Sequence, residues 1–318
     1  MVCGMLSSNA SNWLRDGVSP STVGIPANTH LSAIEFLAQR FPAIPREVWL
    51  QRFLEGGIFN AKGVNITPDQ SLLGETHLRY FRHVANEPTL PFKAQIIFQD
   101  EHLVVADKPH FMPVTPGGPY VKQSLLVQLK QTLNLPELSP IHRIDRETAG
   151  LVLFSVRAQD RNAYQELFRL RQVQKTYEAI AGAPESSPLQ PEFPLTYKST
   201  MVNDAQFFKM RELTAAEYSS SEPCNSETWI DCVARLESSG LARYILKPVT
   251  GQRHQLRVHM NALGLPIQGD QFYPLVKHLA GEKDNFEQAL QLLAKTISFV
   301  DPLTGISREF SSKLKLAH

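Results

Sequence analysis

The chain has 318 residues, of which 42% are hydrophobic, 9% aromatic and 20% charged. That composition excludes disorder for its bulk, and the length suits about two domains. Lys and Arg number 32 against 31 Asp and Glu, a net charge of +1 that does not by itself call for a nucleic-acid partner. The three cysteines, Cys3, Cys224 and Cys232, are too few and too scattered for a disulfide scaffold or a zinc site. The N-terminus has no Lys or Arg before Arg15 and no apolar core, which makes a poor signal peptide. Apolar runs stay far below the roughly 18 residues of a membrane span. The expectation is a cytoplasmic monomer with no membrane contact.

Residues 1–28, rich in Ser, Asn, Gly and Pro without periodicity, predict a loose tail. Ile34, Leu37 and Ala38 keep helical spacing, and Val48, Leu50, Phe53 and Leu54 predict a second helix that Gly56 and Gly57 stop. A strand pair at 58–59 and 64–66 completes a small unit over 29–90, closed by the prolines at 88 and 91. The remainder, 91–318, reads as one larger domain. Strands at 96–99 and 103–106 flank Asp100 and Glu101, followed by a loop with four prolines over 108–120. A helix carrying Leu125, Leu126, Leu129 and Leu133 comes next, then a buried strand over 151–156. Ala163, Leu167 and Leu170 suit a helix, and residues 176–181 a strand. The Pro-, Ser- and Glu-rich stretch 183–228 predicts an irregular insertion. Strands at 229–236 and 243–248 lead to a helix from about Gln252, with Leu256, Met260 and Leu263 on one face and Gly264 at its end. A last helix over 284–294 and a hairpin across 301–305 close the chain. Hairpin-linked strands without a repeating βαβ rhythm predict an α+β fold with a mixed, mainly antiparallel sheet.

Local charge is more telling than the total. Residues 141–177 hold seven basic and four acidic side chains, and 242–259 hold four basic and none acidic. Residues 183–241 hold nine acidic and four basic. A polyanion could be held where the two basic segments meet, although ordinary solvated surface is an equal reading of charge alone.

Three constellations carry chemistry. In 141–151, Asp145 lies between Arg143 and Arg146 ahead of a buried strand, and two nearby cations would keep it ionised. Composition alone favours a simple turn-capping aspartate there. In 250–259, Arg253 and Arg257 fall four apart on one helical face. His254 and His259 are five apart, a spacing that does not bring both rings to one metal. In 175–179, strand alternation puts Lys175, Tyr177 and Ala179 on one face. A tyrosine beside cations can stack on a base, though more often a strand tyrosine is a core residue.

Taken in order, these segments resemble the RluA-like family of RNA pseudouridine synthases. The family's H-R-L-D-x-x-T-S-G pattern stands here as residues 142–150 with Ile144 and Ala149 substituted, K-x-Y-x-A as 175–179, and G-R-x-H-Q-[LI]-R-V-H as 251–259 with Gln252 for the first arginine. The early K-P-x-G loop appears as Lys108-Pro109-His110-Phe111, without its glycine. The resemblance runs from about residue 94 to about 312. The unit 29–90 is similar to the small ribosomal-protein-type RNA-binding domain that often precedes this catalytic domain, with Glu47, Glu55, Gly56 and Gly57 as departures.

The resemblance implies a pseudouridine synthase fold and isomerisation of a uridine in ribosomal or transfer RNA, with no cofactor and no metal. It implies Asp145 as the catalytic aspartate, Arg257 as its ionic partner and Tyr177 as the residue stacked on the detached uracil. His142, Arg143, Arg146, Lys175 and Arg253 are expected to face RNA, with Arg143 filling the space of a flipped base. Whether the carboxylate attacks the sugar or removes a sugar proton stays open. A catalytically silent RNA-binding protein of the same fold is the alternative. A glycoside hydrolase would call for a second catalytic acid, which the motifs do not offer.

Overall fold

The computed structural model describes residues 14–82, 87–204, 209–214, 216–217, 223–236, 239–277, 282 and 284–317. Residues 1–13 of the expected tail, Cys3 among them, lie outside that set. By its internal contacts the chain divides into two compact units. The first is Met1–Pro88 with Pro116–Lys122 and Val127–Pro136; the second is Thr89–Thr115, Gln123–Leu126 and Glu137–His318.

In the first unit, β1 (Ser21–Gly24), β2 (Ile58–Phe59) and β3 (His77–Tyr80) form an antiparallel sheet in the order β1-β3-β2 beside helices α1 (Ala33–Arg40) and α2 (Arg46–Leu54). A capping box starts α1: the Glu35 N–H donates to the Ser32 hydroxyl, and the Ser32 N–H donates to the Glu35 carboxylate. Such a cap contributes about 1 kcal/mol. Ile34 and Leu37 of α1 close on Trp49, Ile58, Leu72 and Leu78 in one apolar core. Two expectations change here. Residues 21–24 are a strand rather than tail, because Val23 enters that core while its backbone pairs with β3. The expected 58–66 hairpin shrinks to a single bridge between Phe59 and Asn65, and β2 pairs with β3 instead. The Asn60 carboxamide oxygen accepts the N–H groups of Lys62 and Val64, which turns the chain before a ladder can form.

The predicted helix at 125–133 is α3 (Leu125–Leu133). The second unit is built on a ten-stranded sheet. Its strands are β4 (Gln95–Gln99), β5 (Leu103–Lys108), β6 (Ser139–Pro140), β7 (Ala149–Ser155), β8 (Gln174–Gly182), β9 (Leu195–Ser199), β12 (Ser226–Leu236), β13 (Leu241–Pro248), β14 (Leu292–Val300) and β15 (Ser307–Ser311). A separate pair, β10 (Met201–Asn203) and β11 (Met210–Glu212), stands off the sheet. The main order is β4-β5-β7-β14-β8-β13-β12-β9, with β15 on β14 and β6 on β7. Every pairing is antiparallel except β7 with β14, so the α+β, mainly antiparallel expectation describes the sheet. Helices α4 (Arg161–Arg169) and α5 (Gln255–Ala262) follow β7 and β13. No helix among the described residues is long and apolar enough to cross a membrane.

Three expectations are corrected in this unit. The last helix, expected over 284–294, does not form: residues 284–291 are turn and loop, and only 292–294 join the sheet, as the start of β14, a strand between β7 and β8. That run is buried because Leu292 packs with Leu256 and Met260 while Leu293 packs with Ala149, Ile180 and Leu316, and such a run lacks the alternation that marks a half-exposed strand. The stretch 183–228 is not merely irregular: it supplies the edge strand β9 and the β10–β11 pair, whose Met201 and Met210 pack with Val258, Phe272 and Tyr273. Finally, α5 begins at Gln255, because His254 takes a left-handed backbone (φ 57°) as its N-cap. Arg253 therefore lies outside the helix and does not share a helical face with Arg257.

The register sets one row across five strands: Lys108 pairs with Gly150, Gly150 with Ala294, Ala294 with Tyr177 and Tyr177 with Leu246. The motif glycine sits in the middle of it. Gly150 has φ 111°, and a Cβ there would lie 2.3 Å from the Ala294 carbonyl oxygen and 2.7 Å from its nitrogen. Only glycine combines that backbone with so close an approach of β14. We expect Gly150→Ala to destabilise the protein by about 3 kcal/mol or more, read from urea unfolding; a loss under about 1 kcal/mol contradicts the packing described.

Candidate active site

Two members of the row of paired residues, Lys108 and Tyr177, carry polar groups. Lys108 is the last residue of β5, Tyr177 lies on β8, and the turn 141–148 between β6 and β7 carries Asp145 beside them. Helix α5 supplies Arg257. Its apolar positions Leu256, Met260 and Leu263 pack with Ala179, Ala181, Tyr244 and Leu246 of β8 and β13, as the sequence predicts. That packing leaves Arg257, one turn from the N-cap, inside the fold with 1% of its surface exposed.

Around this guanidinium the charges gather. Its Nη1 donates to Asp145 Oδ2 at 3.3 Å and lies 3.7 Å from Glu147 Oε2. Its Nε and Nη2 donate to the two oxygens of Asp270 at 2.8 and 2.7 Å. Burial alone works against the cation, but the hydrogen bonds and charge of Asp270, with Asp145 and Glu147 behind them, push the Arg257 pKa above its ordinary value. His254 Nε2 stands 3.9 Å from Asp145 Oδ2, and burial holds its imidazole below the ordinary histidine range.

Asp270 was not expected from the sequence, and neither was the part played by Glu147, whose carboxylate also accepts from Arg146 Nε at 3.0 Å. A signal for Asp270 did exist. It is the one charged residue in the apolar stretch 263–274, directly after a glycine, and an isolated carboxylate in such surroundings calls for a buried cation.

Lys108 is fully buried, and its ammonium donates to the carbonyl oxygens of Pro109 and Arg146 at 3.0 Å each, which ties the turn next to Asp145 to the end of β5. Burial pulls its pKa down to about 7, against the opposing pull of Glu147 and Asp145. The loop that lacks the family's glycine keeps a glycine-like backbone all the same. Phe111 stands at φ 65°, a conformation costing about 1–2 kcal/mol. Its ring is buried against Phe92 and Phe286, which offsets that cost.

Of the other expected site residues, Tyr177 faces Asp145; burial, and then the Asp145 charge, push its phenol above the ordinary tyrosine range. Lys175 Nζ donates to the Thr250 carbonyl at 3.2 Å, joining the two basic segments, and burial lowers its pKa to about 8. Arg143 is exposed. Arg253 is exposed too, and its Nη2 reaches Asn203 Oδ1 at 3.0 Å. Arg146 is held by a two-pronged ion pair with Asp284 at 2.7 and 2.8 Å, so the cation on Asp145 is Arg257 rather than the arginines beside it in sequence. His142 stacks on Phe168 at 4.6 Å and accepts the Leu153 N–H, so one face and one ring nitrogen serve the fold; burial lowers its pKa to about 3. His259 is buried, bonded to Ser226 and Thr228. Among the described residues no group of three or more His, Cys, Asp or Glu could hold a metal ion.

A reachable carboxylate on a buried arginine, beside a desolvated tyrosine on a mainly antiparallel sheet, makes up the candidate site. The model of the RNA pseudouridylate synthase family matches residues 102–262. The dual-specificity RNA pseudouridine synthase RluA of Haemophilus influenzae is 33% identical over 233 residues, 72% of this chain and 96% of that protein. RluA of Salmonella typhi is 30% identical over 227 residues, 71% and 94% respectively. Among solved structures, Human RNA Pseudouridylate Synthase Domain Containing 1 shares the fold with a TM-score of 0.56 at 22% identity, over 72% of this chain and 86% of that one. Human RNA Pseudouridylate Synthase Domain Containing 4 gives 0.52 at 27% identity, over 69% and 88%. The chain belongs to the RluA-like family of RNA pseudouridine synthases, enzymes that isomerise uridine in RNA.

Because Arg257 serves two carboxylates at once, a point charge cannot replace it. We expect Arg257→Lys to cost about 3 kcal/mol of stability in urea unfolding at pH 7, since the ammonium leaves part of the buried Asp270 unpaired. An unfolding midpoint equal to wild type contradicts this geometry.

Proposed function

We propose that Asp145 is the catalytic carboxylate of this enzyme, that the target uridine is flipped out of its stack to reach it, and that the substrate is a structured ribosomal or transfer RNA. The observation that carries this reading is the setting of Asp145. Its side chain is 22% exposed, and its Oδ2 accepts from Nη1 of an arginine that is 1% exposed. Such a carboxylate is anchored on one side and reachable on the other.

A glycosidic bond within stacked RNA offers no path to a side chain, so the nucleotide must leave the helix. Below the flipped sugar, the ionised Asp145 either attacks the anomeric carbon or removes the neighbouring sugar proton, and both routes detach uracil while the site retains it. Rotation then presents carbon 5 to the sugar, the carbon–carbon bond forms, and the hydrogen on carbon 5 leaves as a proton. Tyr177, desolvated and beside a negative charge, is held protonated at neutral pH. This favours it as a ring stacked on uracil over a resident phenolate base. The exposed Arg143 is placed to occupy the space of the flipped base, with Lys175 and Arg253 toward the RNA backbone. The first unit serves as an accessory RNA-binding module in this reading.

The test uses RNA tritiated at uridine carbon 5, taken from cells lacking this protein. We expect tritium release in proportion to a limited number of sites, without free uracil, and a loss of about 10³-fold or more in Asp145→Asn. Release within about tenfold of wild type in that variant removes Asp145 from the chemistry, and free uracil in the products points to hydrolysis. Activity in excess EDTA should equal that without it; loss restored by added zinc contradicts a metal-free mechanism.

A further inference from the structure

The site holds more negative charge than one catalytic carboxylate needs, and the surplus is ordered. Arg257 commits two of its three guanidinium nitrogens to Asp270, at 2.8 and 2.7 Å, and both side chains are 1% exposed. Nη1 alone turns to Asp145. Asp270 is fixed in turn: its Oδ1 also accepts the N–H groups of Phe272 and Tyr273 at 2.8 and 3.1 Å, and those two rings flank the guanidinium at 5.0 and 5.4 Å. The backbone that carries it is stitched to the sheet. Gln268 N donates to Ile180 O on the strand of Tyr177, and Gly269, at φ 76°, passes so near β14's approach that a Cβ would lie 2.2 Å from Ala289 O.

We propose that Asp270 is a positioning residue for the isomerisation: it compensates the buried charge of Arg257 and turns Nη1 toward Asp145, so that Asp145 receives one directed hydrogen bond instead of the whole fork. This rests on Asp145 being the catalytic carboxylate. The chemical reason is that a carboxylate gripped through both oxygens by an uncompensated cation keeps fewer lone pairs open and is a weaker nucleophile and a weaker base. With Asp270 in place, the Arg257–Asp270 pair is neutral as a unit and acts on Asp145 by aim rather than by net charge. The other groups facing Asp145 are Lys108 from β5, Tyr177 from β8, Glu147 on its own turn, and the hydrogen-bonded pair His254 and Tyr273. None of these pairs with the Arg257 Nε edge in the way Asp270 does.

Two variants of the full chain separate charge from aim, measured in single turnover on the tritiated RNA across pH. Asp270→Asn removes the compensating charge; kcat should fall about 100-fold with the apparent KM within about threefold, because an ångström of misplacement costs that much. Its acidic limb should also move to lower pH, since the uncompensated arginine favours ionised Asp145. Asp270→Glu keeps the charge but lengthens the reach, so kcat should fall about tenfold with the acidic limb unmoved. Wild-type kcat in either folded variant, a loss confined to KM, or an unmoved acidic limb in Asp270→Asn overturns the proposal. Asp145→Asn is run alongside: activity there defeats the catalytic assignment itself, whereas an inactive Asp145→Asn with a fully active Asp270→Asn defeats only the role of Asp270. Should neither variant fold, side-chain nitrogen NMR of the wild type decides. Separate, slowly exchanging Nη protons on Arg257 support the clamp, and averaged signals contradict it.

Discussion

A guanidinium taken almost wholly out of water is the constraint around which this enzyme is arranged. The desolvation of Arg257 has to be offset by partners of fixed geometry, and Asp270 supplies both oxygens. The demand reaches outward. Asp270 needs the backbone N–H groups of Phe272 and Tyr273 and the left-handed Gly269; the chain 264–270 needs the ladder of β8; and α5 needs its apolar face on β8 and β13 to hold Arg257 one turn from the N-cap. Asp145 comes to the remaining edge of the fork. Its own turn is held separately, by the buried ammonium of Lys108 on the Arg146 carbonyl.

The electrostatic consequence is a site rich in charge, in which carboxylates outnumber the cations that hold them. Lys108, brought down to about 7 by burial, and Tyr177, pushed upward by burial and by Asp145, are both biased toward their neutral forms. Arg257 is biased the other way by its carboxylates. Arg143 and Arg253 are exposed, so their charges carry little desolvation cost.

Much of this was legible in the sequence, and what was missed has physical reasons. The first helix announces itself by the spacing of Ile34, Leu37 and Ala38, and α5 by its apolar periodicity. Asp145, Tyr177 and Arg257 stand in recognisable motifs, and the structure brings them together. The residues around Asp145 alone pointed to Arg143 and Arg146 as its cations, whereas the family resemblance pointed to Arg257, which is the cation the structure has there. A turn sends adjacent side chains in different directions, and Arg146 goes to Asp284. Asp270 escaped although it is the one charged residue in an apolar stretch, because its partner lies thirteen residues away on α5 and the distant strand β8 helps set its position. The start of β14 was read as the end of a helix because an apolar run buried on both faces has no period to reveal it. Arg253 was placed on α5 because sequence spacing does not show that His254 turns left-handed first.

The most direct measurement is a structure of the full chain with Asp145→Asn bound to an RNA that carries its target uridine. The account predicts a nucleotide out of its helix, the residue 145 side chain within about 3.5 Å of the sugar carbons at the glycosidic bond, the Tyr177 ring against the base, and Arg257 still forked on Asp270. A target base that stays stacked in the RNA, or a sugar that lies against another carboxylate while residue 145 remains in solvent, would contradict it.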